Sequence, residues 1–205
     1  MIKKIPYSLH MLLALVVLCG CEAKVTNRDS RGTEIVCFGD SLTFGFGAGK
    51  GEDYPSVLRT RTKLPVFNAG VLGDTTQSAL VRLEKDVFPH DPKIVIITLG
   101  GNDVLRAVDW RETLANAEKI IDRIQKRGAV VVWAAVRTGI LNDPILDGLK
   151  KMATQKHFIL IPDILRGILF DPRYKYDQIH PNSDGYELMA DRIFQQIKPL
   201  LKEKK

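Results

Sequence analysis

Glu34-Ile35-Val36-Cys37-Phe38-Gly39-Asp40-Ser41-Leu42-Thr43-Phe44-Gly45 is the stretch on which the reading of this chain turns. An apolar run, Ile35 to Phe38, stops at a glycine followed at once by polar residues. β-Branched and aromatic residues in an unbroken run indicate a buried strand, and Gly39 is expected to let the backbone turn sharply as it leaves the sheet. Ser41 then falls at a strand's carboxyl end, where open α/β sheets place their ligands. The stretch alone leaves a second reading open, in which Asp40 or Ser41 does no more than cap a following helix.

Downstream, strand, turn and helix repeat. Gly45 to Gly51 is a glycine-rich loop, and without a Gly-Lys-Ser/Thr ending it is no phosphate cradle. Asp53 caps a helix over 54–62, and Val66-Phe67-Asn68 forms a short strand leading into Ala69-Gly70-Val71-Leu72-Gly73. Asp74 and Gln77 have the spacing of a capping box, opening a helix that sets Leu80, Leu83 and Val87 near one face. Lys93 to Leu99 is nearly all apolar, as a central parallel strand covered on both faces would be, and it runs into Gly100-Gly101-Asn102-Asp103. A second capping box, Asp109 and Glu112, opens a helix with Leu114, Ala117, Ile121 and Ile124 at helical spacing, closed by Gly128. Residues 129–134 and 158–161 read as strands and 144–156 as a helix. Ser183 caps the last helix, whose Leu188, Ile193 and Ile197 fall on one side. His157 would lie at a strand's start, and His90, among prolines, draws no role. Strands alternating with helices imply a parallel sheet with right-handed crossovers, an α/β three-layer α/β/α sandwich.

The chain has 205 residues, 45% hydrophobic and 26% charged, which suits one globular domain. Residues 1–20 stand apart from it: Lys3 and Lys4 precede Met11 to Leu18, an apolar core too short to span a bilayer comfortably, the pattern of a secretory signal. Its end, Leu18-Cys19-Gly20-Cys21, resembles the lipobox of bacterial lipoproteins, and that resemblance implies cleavage before Cys21 and its acylation. It also implies, because Glu22 is not aspartate, the periplasmic face of the outer membrane in a Gram-negative host, and the cell surface otherwise. Only Cys37 would then remain, so no internal disulfide forms. Residues 21–33 read as a flexible tether and 34–202 as the folded domain. Loss of Lys3 and Lys4 lowers the net charge from +6 to +4, 28 basic against 24 acidic side chains. That modest excess suits an anionic lipid surface or simple solubility. With no basic stripe and no interleaved aromatics, nucleic acid is not an expected partner.

Four segments fall after strands or between the last strand and last helix: Gly39-Asp40-Ser41-Leu42, Gly73-Asp74, Gly100-Gly101-Asn102-Asp103 and Asp177-Gln178-Ile179-His180. Each fits one part of a hydrolytic site. Ser41 offers a hydroxyl that needs a base, His180 is the best-placed histidine to supply it, and Asp177 can hold the imidazole's other nitrogen. The Ser41 and Gly73 backbone N–H groups and the Asn102 amide can meet an oxyanion. An Asp-x-x-His pair also occurs in metal sites, but no third and fourth ligand presents itself, and no metal or cofactor is expected. Asp40, Asp74 and Asp103 read as structural, bonding the loop backbones.

Together these segments resemble the conserved blocks of the SGNH, or GDSL, hydrolase family. That family's serine maps to Ser41, its glycine to Gly73, its asparagine to Asn102 and its Asp-x-x-His pair to Asp177 and His180. Asn68 to Thr76 and Leu99 to Asp103 are similar to its periplasmic acyl thioesterase and lysophospholipase branch. The resemblance, covering roughly residues 34–198, implies a flavodoxin-like parallel sheet and a serine hydrolase acting on acyl esters or thioesters; a monomer is expected. Phe44 and Phe46, with Val136 to Leu146 and Ile164 to Phe170, could line an apolar acyl site or belong to the core. Because the family includes carbohydrate acetylesterases, a wall or capsule sugar is the alternative substrate. A binding lipoprotein without activity is disfavoured by the intact Ser41, Asp177 and His180.

Overall fold

The apolar runs fold as five parallel strands: β1 (Glu34–Gly39), β2 (Val66–Gly70), β3 (Pro92–Thr98), β4 (Val130–Ala134) and β5 (Ile159–Ile161), hydrogen-bonded in the order β2-β1-β3-β4-β5. The computed structural model describes residues 24–139 and 142–201, and all counts and absences below refer to these described residues. The strand order reverses direction between β1 and β3, so the loops that follow these two neighbours diverge and leave a crevice at their carboxyl ends. Paired register carries Gly39 beside Thr98 and Gly70, setting three loop origins level with one another.

Both faces of the sheet are covered, which is why the central strands are apolar without alternation. On one face α3 (Thr76–Asp86), α5 (Trp110–Lys126) and α6 (Pro144–Lys156) pack on Val36, Phe38, Val95, Ile97, Val131 and Trp133. On the other, α2 (Tyr54–Arg61) and α7 (Ser183–Ile197) pack on Ile35, Cys37, Ile94, Ile96 and Val132. Two short helices, α1 (Ser41–Phe44) and α4 (Gly101–Leu105), sit at the crevice directly after β1 and near the end of β3. The α/β/α sandwich and its flavodoxin-like strand order are as expected.

Several local expectations are corrected. Thr75, not Asp74, is the N-cap of α3 and forms its capping box with Ser78, because the Asp74 carboxylate is drawn to Arg82 and the Ser78 hydroxyl. Asn182, not Ser183, caps α7 by accepting from the Gly185 N–H; Ser183 Oγ accepts from Gly49 N–H and donates to Glu52. His157 closes α6 in the left-handed conformation (φ 55°) rather than opening β5. His90 stacks on Phe67 with ring centres 3.7 Å apart and bonds Glu34 through Nδ1. Gly39 is needed for close approach rather than for a turn: a Cβ there would lie 2.3 Å from Thr98 Oγ1 and 2.4 Å from Thr43 Oγ1. Residues 25–33, read as part of a flexible tether, are bonded to the domain: Thr26 N–H donates to His157 O (2.8 Å) and Thr33 N–H to Asp91 O (2.9 Å).

Asp103, 1% exposed, ties the start of α3 to α4 by accepting from Thr76 N–H (3.0 Å) and Thr76 Oγ1 (2.5 Å). Removing the acceptor strands a buried amide and hydroxyl, each costing about 1–3 kcal/mol when left unpaired. Asp103→Ala should therefore lower the urea midpoint with the slope unchanged. A wild-type midpoint would contradict this role.

Candidate active site

Asp40 opens the site, and both readings of its neighbourhood hold together. Its Oδ1 accepts from Leu42 N–H (3.0 Å) and so caps α1, which in turn presents the Ser41 side chain toward the crevice. Arg82, stacked over the Phe38 ring, donates to Gly39 O (3.0 Å) and anchors the end of β1. Asn68 bridges the next loop, donating to Thr43 O (2.8 Å) and accepting from Gly70 N–H (2.9 Å). The backbone around Ser41 is thus fixed from three sides.

His180 arrives from the loop before α7. An antiparallel bridge between Lys175 and Pro181 and the bond from Tyr176 N–H to His180 O (2.9 Å) shape that loop. His180 Nε2 lies 2.9 Å from Ser41 Oγ, and its Nδ1 lies 2.8 Å and 3.0 Å from the two carboxylate oxygens of Asp177. An ionised carboxylate only accepts, so Nδ1 carries the proton and Nε2 is left to accept from the serine hydroxyl. Burial pushes the Asp177 carboxyl up, but bonds from the His180 ring and from the Ile179 and His180 N–H groups outweigh it and lower its pKa. Phe46 packs on the imidazole at 4.7 Å, with Tyr176 edge-on behind it. The buried Tyr186 hydroxyl, its pKa raised by burial, donates to Phe46 O (2.9 Å). A hydroxyl, imidazole and carboxylate in this sequence can pass a proton from oxygen to nitrogen and stabilise the imidazolium that results.

Gly73 and Asn102 face the same crevice. Gly73 holds φ 72°, which a side chain would strain, and its carbonyl accepts from Arg106 Nη2 (2.7 Å). Asn102 Nδ2 donates to Asp40 Oδ2 (3.2 Å) and Asp74 O (3.0 Å). All five expected site residues in the described chain are therefore assembled, while Cys21 lies outside the described residues. The crevice widens into a cleft of ≈ 480 Å³, walled mainly by apolar side chains including Phe46, Leu72, Leu105, Val136, Leu165 and Ile179, with Arg137 on one side. Of the residues expected to line it, Phe46, Val136, Leu165 and Leu169 do; Ile145, Leu146, Ile164 and Ile168 belong to the core instead, and Phe44 and Phe170 are 51% and 91% exposed outside it. Arg82, Tyr186 and Arg106 support the site from elements distant in sequence, and no local motif marks them.

The family model of GDSL-like lipases and acylhydrolases matches residues 37–188. The chain belongs to this family. It is 28% identical over 185 residues to thioesterase 1/protease 1/lysophospholipase L1 of Escherichia coli K12, covering 86% of this chain and 89% of that protein. It is 37% identical over 101 residues to the uncharacterized lipoprotein YqeF of Bacillus subtilis, covering 45% of this chain and 39% of that protein. Among solved structures, AlinE4, an SGNH-hydrolase family esterase, is 29% identical with a TM-score of 0.65, covering 84% of this chain and 98% of that one. The chain is accordingly an ester-hydrolysing enzyme of the GDSL type.

Asp40, 3% exposed, titrates in an unusual place. Burial pushes its carboxyl up to about 7, with the Leu42 N–H opposing the rise and the Asp74 charge adding to it. The unfolded value is about 3.9, so the folded state holds a proton over this interval that the unfolded state has lost. Asp40 therefore contributes stability that is present below about pH 4 and is lost as pH rises through about 7. Asp40→Asn should reduce the fall in unfolding free energy between about pH 5 and about pH 8. An equal fall in the variant and the wild type would contradict this assignment.

Proposed function

We propose that the enzyme is a monomeric serine esterase of acyl esters or thioesters, with Ser41 as nucleophile, His180 as general base and acid, and Asp177 as the group that orients and stabilises His180. The observation that carries this is the 2.9 Å contact of Ser41 Oγ with His180 Nε2, backed by Asp177 at 2.8 Å. His180 takes the hydroxyl proton as Ser41 Oγ bonds to the carbonyl carbon. The tetrahedral oxyanion is met by the Ser41 and Gly73 N–H groups and by Asn102, which trades its longer bond to Asp40 for one to the oxyanion. Collapse breaks the bond to the alcohol or thiol, which leaves with the proton from His180, and water repeats the cycle on the acyl-enzyme. No cofactor or metal takes part.

The apolar cleft wall favours an acyl chain over an acetylated sugar, whose hydroxyls would lose water there without partners. Export rests on the secretory pattern of residues 1–20 and lipid attachment on Cys21, and the likeness to a lipoprotein supports both.

Ser41→Ala and His180→Ala should each abolish hydrolysis of a small aryl ester while leaving the circular dichroism spectrum unchanged. Asn102→Ala should lower kcat by about 10²–10³ with little change in KM. A raised KM with kcat preserved would make Asn102 a ground-state contact instead. Among linear acyl esters, each CH₂ seated in the cleft is worth about 0.8 kcal/mol, so kcat/KM should climb by up to about fourfold per CH₂ before it falls. A maximum at acetyl, with acetate released from a polysaccharide, would favour the carbohydrate acetylesterase.

A further inference from the structure

The segment before β1 does not run freely away from the domain. Asn27, in the left-handed conformation (φ 60°), donates through Nδ2 to Gln125 O (2.7 Å) and Ala129 O (3.0 Å), joining the end of α5 to the start of β4. Thr26 Oγ1 donates to Lys156 O (3.0 Å) at the end of α6, and Lys93 Nζ donates to Ser30 O (2.5 Å) at the start of β3. Val25, itself partly buried, packs against the core, and the hydrogen-bond partners fix where the segment lies. Every one of these partners lies at the amino ends of the strands. Ser41, Asn102 and the cleft lie at the carboxyl ends, on the opposite side of the sheet.

Chain length converts this docking into an orientation. Cys21 and Val25 are four residue steps apart, at most about 14 Å when fully extended. β3 has seven residues, so the sheet is about 23 Å tall along it, and the cleft opens beyond its far end. For the cleft to face down onto a bilayer, the base of the sheet would have to stand farther from that bilayer than the linker reaches. We propose that the acylated enzyme is held with the base of its sheet toward the membrane carrying the anchor and its cleft toward the aqueous space. It then acts on acyl esters that arrive from solution rather than on lipids of its own leaflet. This orientation rests on the Cys21 anchor, and its docked clamp is Thr26, Asn27 and Ser30.

The test uses the full-length chain expressed in a bacterial host, with the mature protein purified from membranes, its intact mass measured, and the protein returned to phosphatidylcholine/phosphatidylglycerol vesicles carrying a headgroup energy acceptor. Donor dyes are placed singly at Lys126→Cys, near the base, and at Phe170→Cys, in the loops after β5 on the cleft side; Cys37 is fully buried and stays unlabelled. Energy transfer should be strong from position 126 and lost from position 170. Inserting about twelve Gly/Ser residues after Lys24, enough to span the height of the domain, should make transfer from position 170 rise. Strong transfer from position 170 in the acylated protein of native length would overturn the orientation while leaving the anchor intact. Low transfer that persists after the insertion would overturn the docked segment as its cause. A mature mass without acyl groups would remove the anchor, and the orientation with it.

Discussion

The contact between Ser41 Oγ and His180 Nε2 joins residues 139 positions apart, and a set of polar bonds above the sheet steadies each end of it. At the serine end, the Asp40 cap, the Arg82 bond to Gly39 O and the Asn68 bridge fix the turn out of β1. At the histidine end, Asp177 receives the ring and two backbone N–H groups, and Asn182 both caps α7 and donates to Arg173 O (2.8 Å). Tyr186 links the two, since its helix follows the histidine loop and its hydroxyl reaches the loop after Ser41. A hydroxyl–imidazole contact works only at hydrogen-bond distance, and this scaffold of backbone-directed bonds holds it there.

The same region concentrates charge at a cost to stability. Asp40, Asp74 and Asp103 are all nearly buried around the ends of β1 and β3. Arg82 offsets one of them by pairing with Asp74. The Thr76 amide and the Thr76 and Thr113 hydroxyls meet Asp103, whereas burial pushes the Asp40 carboxyl up to about 7 against the bonds it accepts from the Leu42 N–H and the Asn102 amide. An imperfectly compensated carboxylate beside the proposed oxyanion donor is the kind of local conflict that functional sites retain. Asn102 is thereby oriented in part by a buried carboxylate.

What could be read from the sequence follows from which interactions are local. Unbroken apolar runs mark strands buried on both faces, so the five strands, the layer order and the position of Ser41 at a strand end were legible, as was the α6 span from Pro144 to Lys156. The four polar segments were legible as a group because a parallel sheet brings successive strand ends to one side. Caps were legible only where no distant group competes: Asp53 bonds Ser56 N–H as its spacing implies, whereas Asp74 is taken by Arg82, eight residues on, and the cap passes to Thr75. Asn27 gave no sign of its role, since its polar neighbourhood reads as a tether until the ends of α5 and α6 are brought beside it. The cleft wall was half legible: Phe46 and Leu165 line it, but Phe44 and Phe170 turn outward, and hydrophobicity alone does not separate the two pairs.

The central claim is that Ser41 is made nucleophilic by His180, and the most direct measurement is the site and rate of covalent capture. The protein is incubated with an alkyl fluorophosphonate, digested, and the adduct located by peptide mass. The account predicts a single phosphonyl group on the peptide containing Ser41, formed rapidly at neutral pH and far more slowly in His180→Ala. Capture on another residue, or capture at Ser41 that is indifferent to the loss of His180, would contradict it.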